Sequence, residues 1–207
     1  MRKFLLLFIL IIALAGCSNE SEAESKPKEK PEYLDGYVLN PQVPDDSMLL
    51  EEQESVEDEK GKATLLEINQ LDKTYTIGDM ELTIRDAKMI HLRPDYSLID
   101  YFHELTHEEE FDFVKVFVEV RNTSDEPRKF APVAMIETNN EEKISWEKDI
   151  YLEGLNEIMQ PNESRKGNLG FIVSESEGLS SFQIITSDVF DANDQKTADS
   201  ETIEIEW

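Results

Sequence analysis

Residues 113–121, Phe113-Val114-Lys115-Val116-Phe117-Val118-Glu119-Val120-Arg121, read FVKVFVEVR and decide the fold. Val114, Val116, Val118 and Val120 recur at every second position, so an extended chain places them on one face. Phe113, Lys115, Phe117, Glu119 and Arg121 then line the other face. β-Branched side chains are stiff at χ1 and pack well on a pleated surface, which makes this the central strand, with its valine face buried. Asn122-Thr123-Ser124-Asp125-Glu126-Pro127 ends it with turn-forming residues.

Working outward, Met80-Glu81-Leu82-Thr83-Ile84-Arg85 alternates as a half-buried strand should. The alternation slips near Asp86 and resumes in the other phase through Ala87-Lys88-Met89-Ile90, as a one-residue bulge would produce. Further strands are expected at 130–138, 143–150, 166–174, 180–187 and 201–207. Seven or eight strands over residues 63–207, punctuated by turn signals, predict an all-β antiparallel sandwich. One segment departs from period two. In Ser97–Glu110, SLIDYFHELTHEEE, Leu98, Phe102 and Leu105 are spaced four and three apart, which predicts a short helical insertion between two strands.

The chain opens MRKFLLLFILIIALAGCSNE. Arg2 and Lys3 precede an apolar run from Phe4 to Ala13, the order of a secretory signal. The run is short for a bilayer-spanning helix, which needs about 20 residues. Leu14-Ala15-Gly16-Cys17 resembles a bacterial lipobox, so residues 1–16 are expected to be removed and Cys17 to carry the lipid. Cys17 is the one cysteine of 207 residues, so no intrachain disulfide supports the fold. A diacylated or triacylated terminus carries enough chains for stable anchoring. After loss of Arg2 and Lys3, 18 Lys+Arg face 46 Asp+Glu, a formal charge of −28. That charge excludes a phosphate-backbone partner and repels an anionic membrane surface, leaving lipid as the means of attachment.

Residues 17–62 are expected to form an acidic, disordered tether. SNESEAESKPKEKPE has almost no apolar side chains with which to offset chain entropy. EEQESVEDEKGK reads as a solvated spacer. Between them, residues 33–50 carry Tyr33, Leu34, Tyr37, Val38, Leu39 and Met48-Leu49-Leu50. Three states are open to this segment: docked on the domain, bound to a partner, or loose.

Three stretches carry a resemblance. They are Tyr75–Ile84 with its central Gly78, Phe117–Pro127 with its Asn-Thr-Ser turn, and Leu155–Val173 with Met159-Gln160-Pro161-Asn162-Glu163-Ser164 leading into Lys166–Val173. Together, over roughly residues 72–190, they resemble the uncharacterised extracellular immunoglobulin-like domain of Gram-positive lipoproteins, related in fold to secreted immunoprotective antigens. Asn162 stands where that family has glycine, and asparagine tolerates the left-handed turn required there. The resemblance implies a fold and a location. It implies no catalytic residues.

His103-Glu104-Leu105-Thr106-His107 matches HExxH. On a helix the two histidines would share a face and could bind one zinc ion, with Glu104 as base for a bound water. A catalytic site needs a third ligand. His91 precedes the motif on an expected strand, and Glu108, Glu109 and Glu110 follow it too closely to arrive from a separate element. No serine sits on a GxSxG elbow, and no phosphate loop or dinucleotide fingerprint is present. Asp191-Ala192-Asn193-Asp194 lacks the glycine and distal glutamate of a calcium loop.

The expected protein is therefore a lipid-anchored, non-enzymatic module on the outer face of the cell membrane. It has no cofactor and no metal ligand set, and an envelope protein is its candidate partner. The alternative is a metal-binding protein or zinc hydrolase using His103, Glu104 and His107.

Overall fold

The computed structural model describes residues 29–207, so the expected signal segment 1–16, Cys17 and the part of the expected tether up to residue 28 lie outside the described residues. The described chain is an all-β, antiparallel sandwich. Its strands are β1 (Ser55–Asp58), β2 (Gly61–Ile77), β3 (Met80–Pro94), β4 (Phe111–Asn122), β5 (Met135–Thr138), β6 (Lys143–Ser145), β7 (Ser164–Ile172), β8 (Ser181–Ile185), β9 (Val189–Phe190), β10 (Lys196–Ala198) and β11 (Thr202–Glu206). One sheet has the order β1-β2-β3-β4-β7 and the other β11-β8-β5-β6, with β9 and β10 as a separate pair.

β4 lies inside the larger sheet, between β3 and β7, as its composition predicts. Val114, Val116, Val118 and Val120 join Leu82, Ile84, Met89, Phe171, Phe182 and Ile184 in the core between the sheets. The phase slip at Asp86 is a register shift between Ile84 and Asp86 against β4. Gly78 (φ +59°) closes the β2–β3 hairpin, and a Cβ there would lie 2.5 Å from that of Ala198. Asn162 takes φ +58°, the left-handed turn expected of it. Asn122 is fully buried, and its side-chain amide bridges the carbonyls of Glu126, Met159 and Gln160 at 2.8–3.3 Å. It thereby ties the turn after β4 to the approach to β7.

Three expectations are corrected. The strand expected over 143–150 ends at Ser145, where Trp146–Lys148 form a 3₁₀ turn and Ile150 N crosses to donate to Gly170 O on β7 at 2.9 Å. The helix expected over 97–110 is a 3₁₀ turn at Tyr96–Leu98 followed by α1 (Ile99–His103). The tether expected to reach residue 62 instead contains the β1–β2 hairpin. Glu57 pairs with Lys62, Asp58 with Gly61, and Gly61 adopts φ +131° against the backbone of Arg93 and Pro94. High charge concealed this hairpin, because its alternation is carried by polar side chains.

Residues 29–50 form a strap across the outer face of the larger sheet, over the residues of β4 that the valines leave behind. Phe113, Lys115 and Phe117 are therefore buried as well. The strap pairs with no strand and is held by side chains. Tyr33 and Tyr37 pack on Phe117 with ring centroids 5.2 and 5.4 Å away. Tyr33 Oη donates to Asp86, Tyr37 Oη to Glu153 at 2.6 Å, and Lys166 Nζ to the carbonyls of Tyr33 and Asp35 at 2.8 and 2.6 Å. Asp46 accepts from Lys88 and Lys115. Further along, Val43 and Leu49 join Phe102 of α1, Ile90, Leu92, Phe113 and Tyr151 in a second apolar cluster.

The outer edge of β7 faces the loop 149–158. Asp149 Oδ1 accepts from Gly170 N at 2.9 Å and Glu153 Oε2 from Asn168 N at 2.9 Å. Asp149 also takes Tyr151 N and Leu152 N, at 3.0 and 3.1 Å. Burial pushes its carboxyl up to about 6, against the pull of these three N–H donors.

Candidate functional site

A groove of about 1050 Å³ opens at one end of the sandwich. The ends of β3 and β4 contribute His91 and Asp112, the turn after α1 contributes Leu105, Thr106, Glu108 and Glu110, the β5–β6 hairpin contributes Glu142 to Ser145, and the chain after β7 contributes Val173 to Glu177. Glu108, Glu110, Asp112, Glu142, Glu175 and Glu177 supply six carboxylates, against Lys143 and Lys148. So unequal a lining makes the local potential negative and favours cationic ligands.

His91 lines this groove with a carboxylate near each ring nitrogen. Its Nδ1 lies 2.7 Å from Asp112 Oδ1 and its Nε2 3.6 Å from Glu110 Oε2. Ser176 Oγ donates to the other oxygen of Asp112, and Glu142 takes Ser174 Oγ at 2.6 Å. Serine, aspartate and histidine are thus adjacent in the wrong order for nucleophilic catalysis. The serine proton is committed to a carboxylate, while the imidazole nitrogen that would accept it faces Glu110. The arrangement holds charge in place and leaves the hydroxyl unactivated.

The HExxH segment borders the groove through Leu105 and Thr106, with Glu108 just beyond it. Its histidines do not share a helical face, because α1 stops at His103. Thr106 Oγ1 takes Glu108 N at 3.2 Å, a local bond that competes with helix continuation. The carboxylates of Glu108 to Glu110 would also oppose the dipole at a helix C-terminus. His103, Glu104 and His107 are exposed, with the imidazole centroids 6.0 Å apart and the rings inclined at 74°. Among the described residues, no three His, Cys, Asp or Glu side chains are grouped to hold a metal ion. Cys17, the expected lipid attachment, lies outside the described residues. No helix among the described residues is long and apolar enough to cross a membrane.

Sequence reading missed the His91–Asp112–Ser176 chain. A signal for part of it exists: His91 and Asp112 are register partners across β3 and β4, so extending the pairing outward from the valine strand brings them together. Ser176 carries no such signal, since it arrives on an irregular segment after β7.

A family model described as "Domain of unknown function (DUF4352)" matches residues 69–196. The "Uncharacterized protein YdhF" of Bacillus subtilis (strain 168) is 44% identical over 236 aligned positions, which cover 100% of both chains. Among solved structures, a functionally unknown protein from Listeria monocytogenes EGD-e shares the fold with a TM-score of 0.51 at 10% identity, over 71% of this chain and 88% of that one.

Proposed function

We propose that this chain, which belongs to the DUF4352 family, is a non-enzymatic binding module held by lipid on Cys17 at the outer face of the cell membrane. Its sandwich is of the immunoglobulin-like type, and its groove takes a cationic segment of an envelope partner. The observation that carries the binding role is the groove itself. It is large, open and lined by six carboxylates, and its one hydroxyl–carboxylate–imidazole chain is wired for holding charge. The lipobox-like Leu14–Cys17 supports the anchor. Twelve residues from Cys17 to Glu29 span at most ~43 Å, so the domain would stay within that distance of the bilayer.

Two measurements test the reading. In a Gram-positive host expressing the full chain, Cys17→Ala moves the protein from the membrane pellet to the medium and abolishes palmitate labelling. Retention of the variant in the pellet sinks the anchor. For the groove, Glu108, Glu175 and Glu177 changed together to Gln weaken binding of a tetralysine peptide by about tenfold, at roughly 0.5 kcal/mol per exposed charge. The same neutralisation at Glu201, Glu204 and Glu206, outside the groove lining, is the control. Equal losses in the two triple variants would mean that only net charge attracts the peptide.

A further inference from the structure

Lys88 and Lys115 are register partners across β3 and β4, side by side on the outer face of the larger sheet. They are only 1% and 3% exposed. Like charges directly opposite each other repel, and taking both out of water adds a desolvation cost. One carboxylate bonds the pair: Asp46 Oδ2 accepts from Lys115 Nζ at 2.6 Å and from Lys88 Nζ at 2.9 Å. Lys88 Nζ also donates to the main-chain carbonyl of Asp46 at 2.9 Å. Asp86, a neighbouring carboxylate on β3, is engaged by the hydroxyl of Tyr33.

Asp46 does not belong to the sandwich. It arrives on the strap, which has no strand pairing with the sheet and lies next to the segment leading to Cys17. Beside it is a cavity of about 10 Å³, water-sized, bordered by Tyr37, Asn40, Lys115, Tyr151 and Asn168. Two polar atoms on residues lining it, Tyr151 Oη and Asn168 Oδ1, are buried and make no hydrogen bond. The sheet thus presents two ammonium groups, and Tyr151 an unpartnered hydroxyl donor, to whatever oxyanion sits there, while Asn168 Oδ1 is an acceptor and offers it nothing.

We propose that the Lys88–Lys115 pair is a carboxylate-binding site of the sheet, occupied in this structure by the chain's own Asp46. An acidic side chain of a partner peptide that enters the site exchanges with Asp46 and lifts the strap. Release frees the 22 residues from 29 to 50 and lengthens the reach of the domain by up to roughly 70 Å. The site is distinct from the acidic groove, and its ligand has the opposite charge.

The test is chemical rescue with acetate in the chain from residue 18 onward. The Asp46→Ala variant gains a saturable rise in melting temperature, of about 3 °C or more, in acetate over chloride at equal ionic strength. Adding Lys115→Met removes that rise. In the wild-type chain, acetate speeds hydrogen exchange of residues 29–50 relative to chloride while exchange in β3 and β4 is unchanged. Equal effects of acetate and chloride, or an acetate response that survives Lys115→Met, overturn the proposal. Should Asp46→Ala stay unfolded in both salts, the wild-type exchange experiment decides.

Discussion

The Asp46→Ala variant loses about 3–5 kcal/mol of stability at neutral pH, because removing one partner of a buried ionic cluster leaves the others uncompensated. Lys88 and Lys115 remain, buried and opposite each other. The loss is capped by the docking free energy of the strap, since the lysines regain water once residues 29–50 detach. Hydrogen exchange should therefore show the strap opening at lower denaturant than the strands. The effect also depends on pH in a defined direction. Burial would push the Asp46 carboxyl up, but the Lys115 and Lys88 ammoniums outweigh it and hold it well below the usual carboxylate range. A depressed folded value contributes stability above the unfolded value near 4, and that contribution is lost as pH falls toward the folded value. The wild type and the variant should accordingly differ fully above about pH 5 and converge in acid. Urea melts at pH 7 and pH 3 measure both numbers. A gap below about 1 kcal/mol at pH 7, or one that widens in acid, would contradict the assignment.

Phe171→Ala acts through the other core and costs about 3–5 kcal/mol, the transfer free energy of the ring plus the cavity it leaves. Phe171 is fully buried on β7 and packs between the two sheets. At about 2–4 °C per kcal/mol for a chain of this size, its melting temperature should fall by about 10 °C. The loss carries no titratable group, so the pH dependence of the variant should parallel that of the wild type. Strap exchange relative to global opening should likewise be unchanged. Phe171→Leu keeps most of the volume and should lose well under half as much. A Phe171→Ala chain whose deficit shrinks in acid would mean that the two cores are coupled through β4 rather than independent.

The valine strand, the bulge near Asp86 and the left-handed turn at Asn162 were legible, because each depends on local periodicity or on one residue's backbone freedom. The second core was not. Lys115 reads as a solvent-facing position, and only the covering strap makes it buried. The helix over-extended in the reading because Leu105 keeps helical spacing after the backbone has left the helix. The groove was partly accessible, through the register of His91 with Asp112, but its carboxylates come from four separate segments. In a chain with 46 acidic residues, no local pattern marks those that converge.

The loop that closes β7 has a consequence for crowding. An unpaired strand edge is a template for another chain, and the proposed lipid anchor would crowd copies to effective concentrations at which such templating matters. Here the N–H groups of Gly170 and Asn168, which would otherwise invite an incoming strand, already donate to Asp149 and Glu153. The carbonyl of Gly170 is taken by Ile150 N. Arg165 adds bonds to the carbonyls of Gly154, Glu157 and Ile158. Two carboxylates and an arginine thus stand in for a neighbouring strand without offering a further edge of their own. Along the middle of β7, copies packed side by side would meet carboxylates already bonded to the Asn168 and Gly170 N–H groups, which opposes the stacking that seeds cross-β assembly.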